Sequence, residues 1–337
     1  MPPLLEARRV EIVRDGGYFP VLRLLPSGRV LVVFRMGAGH FGLGGRLDAA
    51  WSDDGGRTWS APVVAAKSER DDRNPAVGLA PAGELVLAYH HQGAYGADGK
   101  WKGGGPADTL LTRSGDEGQT WCDPYPLSHR PLNGRSPFRN IITTPEGEML
   151  MNVYGSPNAG EDRYISYLIR SRDGGWSWEE PSVIADGWHE TALALLPGGE
   201  MLAALRSREQ PDALWLSRSE DLGRTWAAPV RLTEKGEHPG DLLVLRDGSV
   251  LLAYGRRREP YGVEVMLSTD GGGTWGHKKA LANDAVSGDC GYPSSVQLSD
   301  GTIITAYYAA GAESTNYDAT GAGAVAAIYQ PAALLAP

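Results

Sequence analysis

SDDGGRTW, Ser52 to Trp59, is the stretch on which the reading of this chain turns. Its pattern, Ser-x-Asp-x-Gly-x-Thr/Ser-Trp, returns as SGDEGQTW (Ser114–Trp121), SRDGGWSW (Ser171–Trp178), SEDLGRTW (Ser219–Trp226) and STDGGGTW (Ser268–Trp275). The serines are 62, 57, 48 and 49 residues apart. One such octamer is a weak signal, but five at near-regular spacing define a repeat architecture. Each box reads as a turn: Asp accepts backbone N–H groups, Gly takes a positive φ, and Trp packs the hairpin onto its neighbour. Asp54, Asp116, Asp173, Asp221 and Asp270 are therefore turn-formers, not catalytic acids.

A second unit alternates with the boxes: an apolar strand, a turn ending in Gly, and another apolar strand. It reads FPVLRLLPSGRVLVVF, PAVGLAPAGELVLAY, RNIITTPEGEMLMNVY, TALALLPGGEMLAALR, GDLLVLRDGSVLLAYG and PSSVQLSDGTIITAYY, with turn glycines Gly28, Gly83, Gly147, Gly199, Gly248 and Gly301. Short apolar runs bounded by Pro/Gly turns mark buried strands. Six hairpins against five boxes predict an all-β, six-bladed β-propeller spanning residues 1–337 as one domain. The boxes join the two outer strands of each blade at the rim. The last blade lacks a box and is closed by AVAAIYQ near the C-terminus and RRVEIV near the N-terminus.

The bulk properties narrow the function. The 337 residues are 42% hydrophobic with 45 Gly and 23 Pro, which suits many short strands and tight turns. A net charge of −9 argues against nucleic acid or an anionic membrane as partner. No apolar run approaches the roughly 20 residues of a membrane span. MPPLLEARRVEIVRDGG meets charge too early for a signal peptide. Cys122 and Cys290 lack metal-like spacing and read as free thiols. The expectation is a cytoplasmic protein, or a secreted one if a leader has been removed.

Topology then predicts where chemistry sits. Residues just before each first strand and just after each second strand converge on one mouth beside the axis. From the first hairpin to the sixth these are Tyr18, Phe19 and Arg35; Asp71, Asp72, Arg73, His90 and His91; Arg135, Arg139 and Tyr154; His189, Glu190, Arg206 and Arg208; His238, Asp241, Arg256, Arg257 and Arg258; and Asp289, Tyr292, Tyr307 and Tyr308. A scaffold has no need of such a ring of charge, so the mouth is the expected site.

Asp boxes on a six-bladed ring resemble the sialidase (neuraminidase) superfamily over nearly the whole chain. The resemblance implies three arginines gripping a substrate carboxylate, a Tyr–Glu pair as nucleophile, and an Asp acid/base. By position, Glu190 and Arg206 match the family's Glu and second Arg, and Tyr292 matches its tyrosine. Arg256, with Arg257 as the alternative, lies near the third arginine. The family's Phe-Arg-Ile-Pro reads Tyr18-Phe19-Pro20 here, so Phe19 stands for the first arginine and Arg35 is the substitute candidate. The stretch GHFGLGGRLD offers His40 and Asp48 as the nearest candidates for the acid. Arg73, Asp72, Arg139, His90, His189, His238 and Tyr308 complete the expected substrate-binding set.

Under this reading the substrate is a small molecule or glycan bearing a carboxylate, such as sialic acid or a related ulosonic or uronic acid. No cofactor is expected. His90, His189, His238 and Asp72 are too scattered in sequence to signal a metal site. Two rivals remain: a polysaccharide lyase in which Tyr292 or a mouth His abstracts a proton α to a uronate carboxylate, and a glycan-binding propeller without turnover.

Overall fold

The apolar hairpins form the inner strands of antiparallel meanders, and the boxes form the outer turns. The computed structural model describes residues 2–103, 107–128, 133–158, 161, 163–207 and 212–335. After β1 (Arg8–Arg14) come β2 (Tyr18–Leu24), β3 (Val30–Met36), β4 (Arg46–Ser52) and β5 (Val63–Ala66), paired in that order. The course repeats in β6 (Asp71–Leu79), β7 (Leu85–Gln92), β8 (Ala107–Ser114) and β9 (Tyr125–Pro126). Next are β10 (Asn133–Thr143), β11 (Met149–Ser156), β12 (Ile165–Ser171) and β13 (Glu179–Asp186). They are followed by β14 (Trp188–Leu195), β15 (Met201–Ser207), β16 (Leu214–Ser219) and β17 (Val230–Arg231). Then come β18 (Glu237–Val244), β19 (Val250–Arg256), β20 (Tyr261–Ser268) and β21 (Gly276–Ala285). The last meander is β22 (Cys290–Gln297), β23 (Ile303–Ala309) and β24 (Gly323–Tyr329), before a short α1 (Pro331–Leu335).

The N-terminal strand completes that last sheet: β1 runs antiparallel to β24, from Arg8 opposite Ile328 to Arg14 opposite Gly323. Neighbouring sheets meet through separate apolar clusters. One of them joins Val30, Val32 and Phe34 of the first sheet to Ile304, Ala306 and Ala324 of the last. The arrangement is all-β and propeller-like. It departs from six separate blades, because the pairing gives four four-stranded sheets and one eight-stranded sheet. In the latter, β10 pairs parallel to β6 through Arg139–Ala76 and Asn140–Val77. Gly78 permits this approach, since a Cβ there would lie 2.5 Å from atoms of Ile141. No helix among the described residues is long and apolar enough to cross a membrane.

Each box serine is the last residue of a third strand; all five boxes share the bonds to the aspartate, and four of the five, all but the first, add the indole bond. In the fourth, Ser219 Oγ donates to Asp221 (2.8 Å), the Thr225 amide and hydroxyl donate to Asp221 (2.8 and 2.6 Å), and Trp226 Nε1 donates to Gly223 O (3.1 Å). These donors to the carboxylate hold the Asp221 carboxyl below its usual range. Gly223 has φ +76° and sits against the preceding sheet, where a Cβ would lie 2.3 Å from Leu168 Cδ2. Gly223→Ala is expected to cost about 1–3 kcal/mol, from left-handed strain and overpacking together. The denaturation midpoint reads it, and an unchanged midpoint would show that the turn is not a packing device.

Candidate active site

At the mouth, every inner strand pair slips register. The slips lie between Tyr18 and Val21, Arg73 and Ala76, Pro137 and Ile141, Trp188 and Thr191, Glu237 and Gly240, and Gly291 and Ser294. Bulges bend a strand and re-aim its side chains. Phe19, Asn74, Arg139 and Tyr292 lie in these slips with φ of 54°, 50°, 65° and 47°, conformations costing about 1–3 kcal/mol each for residues other than glycine. The strain goes with convergence, for two of these residues, Phe19 and Arg139, meet a third, Tyr292. Proline follows Phe19, Asn74, His238 and Tyr292 within the inner strands. Proline inside a strand marks a bulge, and that was the available sequence signal for these positions.

The centre is a buried triad. Tyr292 Oη donates to Glu190 Oε1 at 2.5 Å, while Arg206 Nη1 lies 2.8 Å from Glu190 Oε2 and 3.4 Å from Tyr292 Oη. Burial acts to raise the Glu190 carboxyl, but Arg206, His189 and the Tyr292 hydrogen bond outweigh it and hold it at about 2. Burial and the Glu190 charge push the Tyr292 phenol up, with Arg206 and Arg257 opposing. The resting pair is thus a carboxylate and a neutral phenol. That is the correct starting protonation for a base and the nucleophile it activates.

Of the expected arginines, the mouth uses some and the scaffold consumes others. Arg206 is in place, and its Nε also lies 3.5 Å from Asp212. Arg257, not Arg256, serves the centre: its guanidinium lies 5.1 Å from the Tyr292 ring centroid and donates to Tyr308 Oη at 3.2 Å. Arg256 is paired with buried Glu264 at 2.6 Å and donates to Glu259 O, which corrects its assignment. Adjacent residues at a strand end point to opposite sides, so only one of the two faces the axis. Arg35 is corrected likewise. It is fully buried, paired to Asp71 at 2.6 Å, and donates to the carbonyls of Ala38 and Gly42. Arg139 reaches under Tyr292, 5.4 Å from its ring centroid, and donates to Pro20 O at 2.9 Å. Arg73 lies over Phe19 and Phe41, 5.3 and 4.5 Å from their ring centroids. Arg208 lies outside the described residues.

The two acid candidates separate cleanly. Asp48 lies on β4, where Arg46 donates to both of its oxygens at 2.8 and 3.0 Å, so it is spent on the scaffold and corrected as a catalytic candidate. His40 is at the mouth, edge-on to Phe19 at 5.0 Å, and Phe19 is 4.8 Å from Tyr292 between ring centroids. Its Nδ1 lies 2.9 Å from Asp289, which also accepts from Tyr308 Oη at 2.6 Å. Asp289 belongs to the expected mouth but had no role assigned by sequence, because its partners are far along the chain.

The remaining expected residues form a supporting layer. Asp72 is fully buried with His91 Nδ1 at 2.7 Å. His90 Nδ1 lies 2.5 Å from Arg135 O, and burial pushes its imidazole down to about 4. His238 Nε2 pairs with Asp212 at 2.9 Å, and the His189 ring packs 5.8 Å from Tyr154. Among the described residues no three His, Cys, Asp or Glu side chains gather to hold a metal. Sequence reading missed an aromatic rim in which Phe41 stacks on Trp101 at 5.3 Å with Tyr317 alongside. A cavity of about 1030 Å³ opens at the hairpin-turn end, lined by segments such as Thr143–Glu146 and Leu195–Gly199. Its only box aspartate, Asp221, is spent on its turn, so the convergent chemistry lies at the other end.

The BNR repeat-like domain family matches residues 49–304. A protein of unknown function from Dyadobacter fermentans superposes with a TM-score of 0.81 at 24% identity, over 96% of this chain and 98% of that one. Hadza microbial sialidase Hz136 superposes at 0.73 with 18% identity, over 94% of this chain and 66% of that one. Trypanosoma rangeli sialidase, in its covalent-intermediate complex with 2,3-difluorosialic acid, superposes at 0.71 with 14% identity, over 99% and 60%. The chain thus spans less than two thirds of either sialidase, and at these identities the likeness is one of fold. No curated protein sequence matches the chain.

Proposed function

The chain belongs to the BNR repeat-like family of the sialidase superfamily, and on that premise we propose that it is a sialidase-type exo-glycosidase releasing a terminal acidic sugar. The observation that carries the reading is Tyr292 donating at 2.5 Å to a Glu190 carboxylate that Arg206 bridges. A sugar whose anomeric carbon bears a carboxylate repels an anionic nucleophile. A phenol that loses its proton only on attack does not. Arg206 and Arg257 fit the carboxylate clamp, since guanidinium stays charged and binds carboxylate in bidentate fashion. Substrate carboxylate drawn onto Arg206 competes with Glu190 for Nη1, which strengthens Glu190 as the acceptor of the Tyr292 proton. The eight-stranded sheet is read as two blades fused at the axis, giving a six-bladed ring over residues 1–337.

The test is release of a fluorescent leaving group from α-sialosides, other ulosonides, uronides and neutral glycosides. Turnover of one acidic sugar with neutral sugars inert is the expected result. An ultraviolet-absorbing unsaturated product would make the protein a lyase, and tight binding without turnover would make it a binding propeller.

A further inference from the structure

We infer that His40, oriented by Asp289, is the acid that protonates the departing glycosidic oxygen; the inference rests on Tyr292 being the nucleophile. The loop between β3 and β4 carries His40 over the mouth and is fixed from several sides. Phe41 N donates to Asn316 O at 2.6 Å, Gly42 N donates to Tyr95 Oη at 2.9 Å, and Arg35 binds the loop carbonyls. Gly39 fits directly against Thr315 and Asp318, where a Cβ would lie 2.5–2.6 Å from backbone atoms.

Asp289 accepts a hydrogen bond from Nδ1–H, which sets the tautomer and leaves Nε2 as the exchanging nitrogen. Nε2 has no hydrogen-bond partner among the described residues, and the side chain is 17% exposed. The competing acids stand elsewhere: Asp241, whose carboxyl burial pushes up to about 6, is 1% exposed beneath the mouth surface and accepts from Ser295 N at 2.7 Å. Asp71 holds Arg35 and Tyr95, Asp72 holds His91, and Asp212 holds His238. His238 forms a similar pair with Asp212, but its side chain is 3% exposed and its second nitrogen is buried.

In the first step the bond from Tyr292 Oη to the anomeric carbon forms, and the phenolic proton passes to Glu190. The bond to the leaving oxygen breaks as protonated His40 gives up its Nε2 proton, so a neutral alcohol departs. In the second step neutral His40 takes a proton from water, whose oxygen attacks the anomeric carbon. Tyr292 leaves and recovers its proton from Glu190. The charged groups facing His40 are Asp289 before β22, Arg73 on β6 and Arg257 after β19. Burial, Arg73 and Arg257 lower the imidazole and Asp289 opposes them, with a net fall below the ordinary 6.5. Protonated His40 is therefore lost as pH rises, and turnover of unactivated substrates declines on the alkaline side.

The test compares wild type, His40→Gln, His238→Gln, Asp289→Asn and Tyr292→Phe on 4-methylumbelliferyl and methyl α-glycosides of the same acidic sugar. His40→Gln is expected to lose about 10²–10⁴-fold on the methyl glycoside, which needs its leaving oxygen protonated. It should lose under about 10-fold on the activated aryl glycoside, and the alkaline limb for the methyl substrate should vanish. Asp289→Asn is expected to share part of the loss and to shift that limb. Equal losses on both glycosides, an unchanged limb, or the leaving-group effect appearing in His238→Gln instead would overturn the assignment. If Tyr292→Phe is dead and His40→Gln shows no leaving-group dependence, only this inference fails. A wild type inert on every glycoside removes the nucleophile reading and this inference together.

Discussion

Tyr292→Phe is expected to reduce glycoside turnover by at least about 10³-fold while leaving the protein folded. The substitution removes one oxygen and nothing else. The ring keeps its contacts with Phe19, Phe138 and Tyr308, and the guanidinium groups of Arg139 and Arg257 stay beside it. Glu190 loses its 2.5 Å donor but keeps Arg206, so the stability cost is that of one unsatisfied acceptor, about 1–3 kcal/mol. A wild-type melting profile beside a lost rate separates chemistry from folding. A variant within ten-fold of wild type would mean that Tyr292 is packing and that another group attacks.

The second large effect is expected of Arg206→Met, and it falls on stability as well as rate. Arg206 faces a Glu190 side chain only 6% exposed, and removing one partner of a buried pair costs about 3–5 kcal/mol. The pH dependence identifies the cause. In wild type the folded carboxyl is held at about 2, below its unfolded value near 4.3. Its stabilisation is therefore fully present above the unfolded value and is lost as pH falls towards 2. Without Arg206, burial meets less opposition and the folded carboxyl rises, so the stabilisation it supplies above the unfolded value is lost. Denaturation midpoints at pH 4 and pH 7 should show a penalty that grows towards pH 7. A penalty equal at both would place the effect in lost packing of the arginine stem.

What the sequence made legible was what the chain builds locally. Each box closes its own turn within eight residues, so its pattern and spacing announced the meanders and the pairing of β1 with β24. Tyr292, Glu190 and Arg206 could be set on one face because strand ends, taken in order, delimit it, and the structure brings the three into contact. What failed was neutralisation at a distance. Nothing near Arg35 in sequence reveals Asp71 at the start of β6 in the neighbouring sheet, and nothing near Arg256 separates it from Arg257 until Glu264 on β20 claims one of them. Asp48 was misread for a local reason: Arg46, two residues earlier on β4, faces the same side of the strand and binds both of its oxygens. The fusion of β6 and β10 rests on a glycine meeting Ile141, 63 residues further along the chain, which no local pattern encodes. Asp289 was visible at the mouth, but its role emerged only with His40 and Tyr308 in contact.

The central claim is covalent chemistry at Tyr292. It is tested most directly by incubating the protein with 2,3-difluorosialic acid and its ulosonic relatives and mapping any adduct by peptide mass spectrometry. The account predicts a glycosyl adduct on Tyr292 that is absent from Tyr292→Phe. A stable adduct on any other residue, or none in a protein that demonstrably turns over the parent sugar, would contradict it.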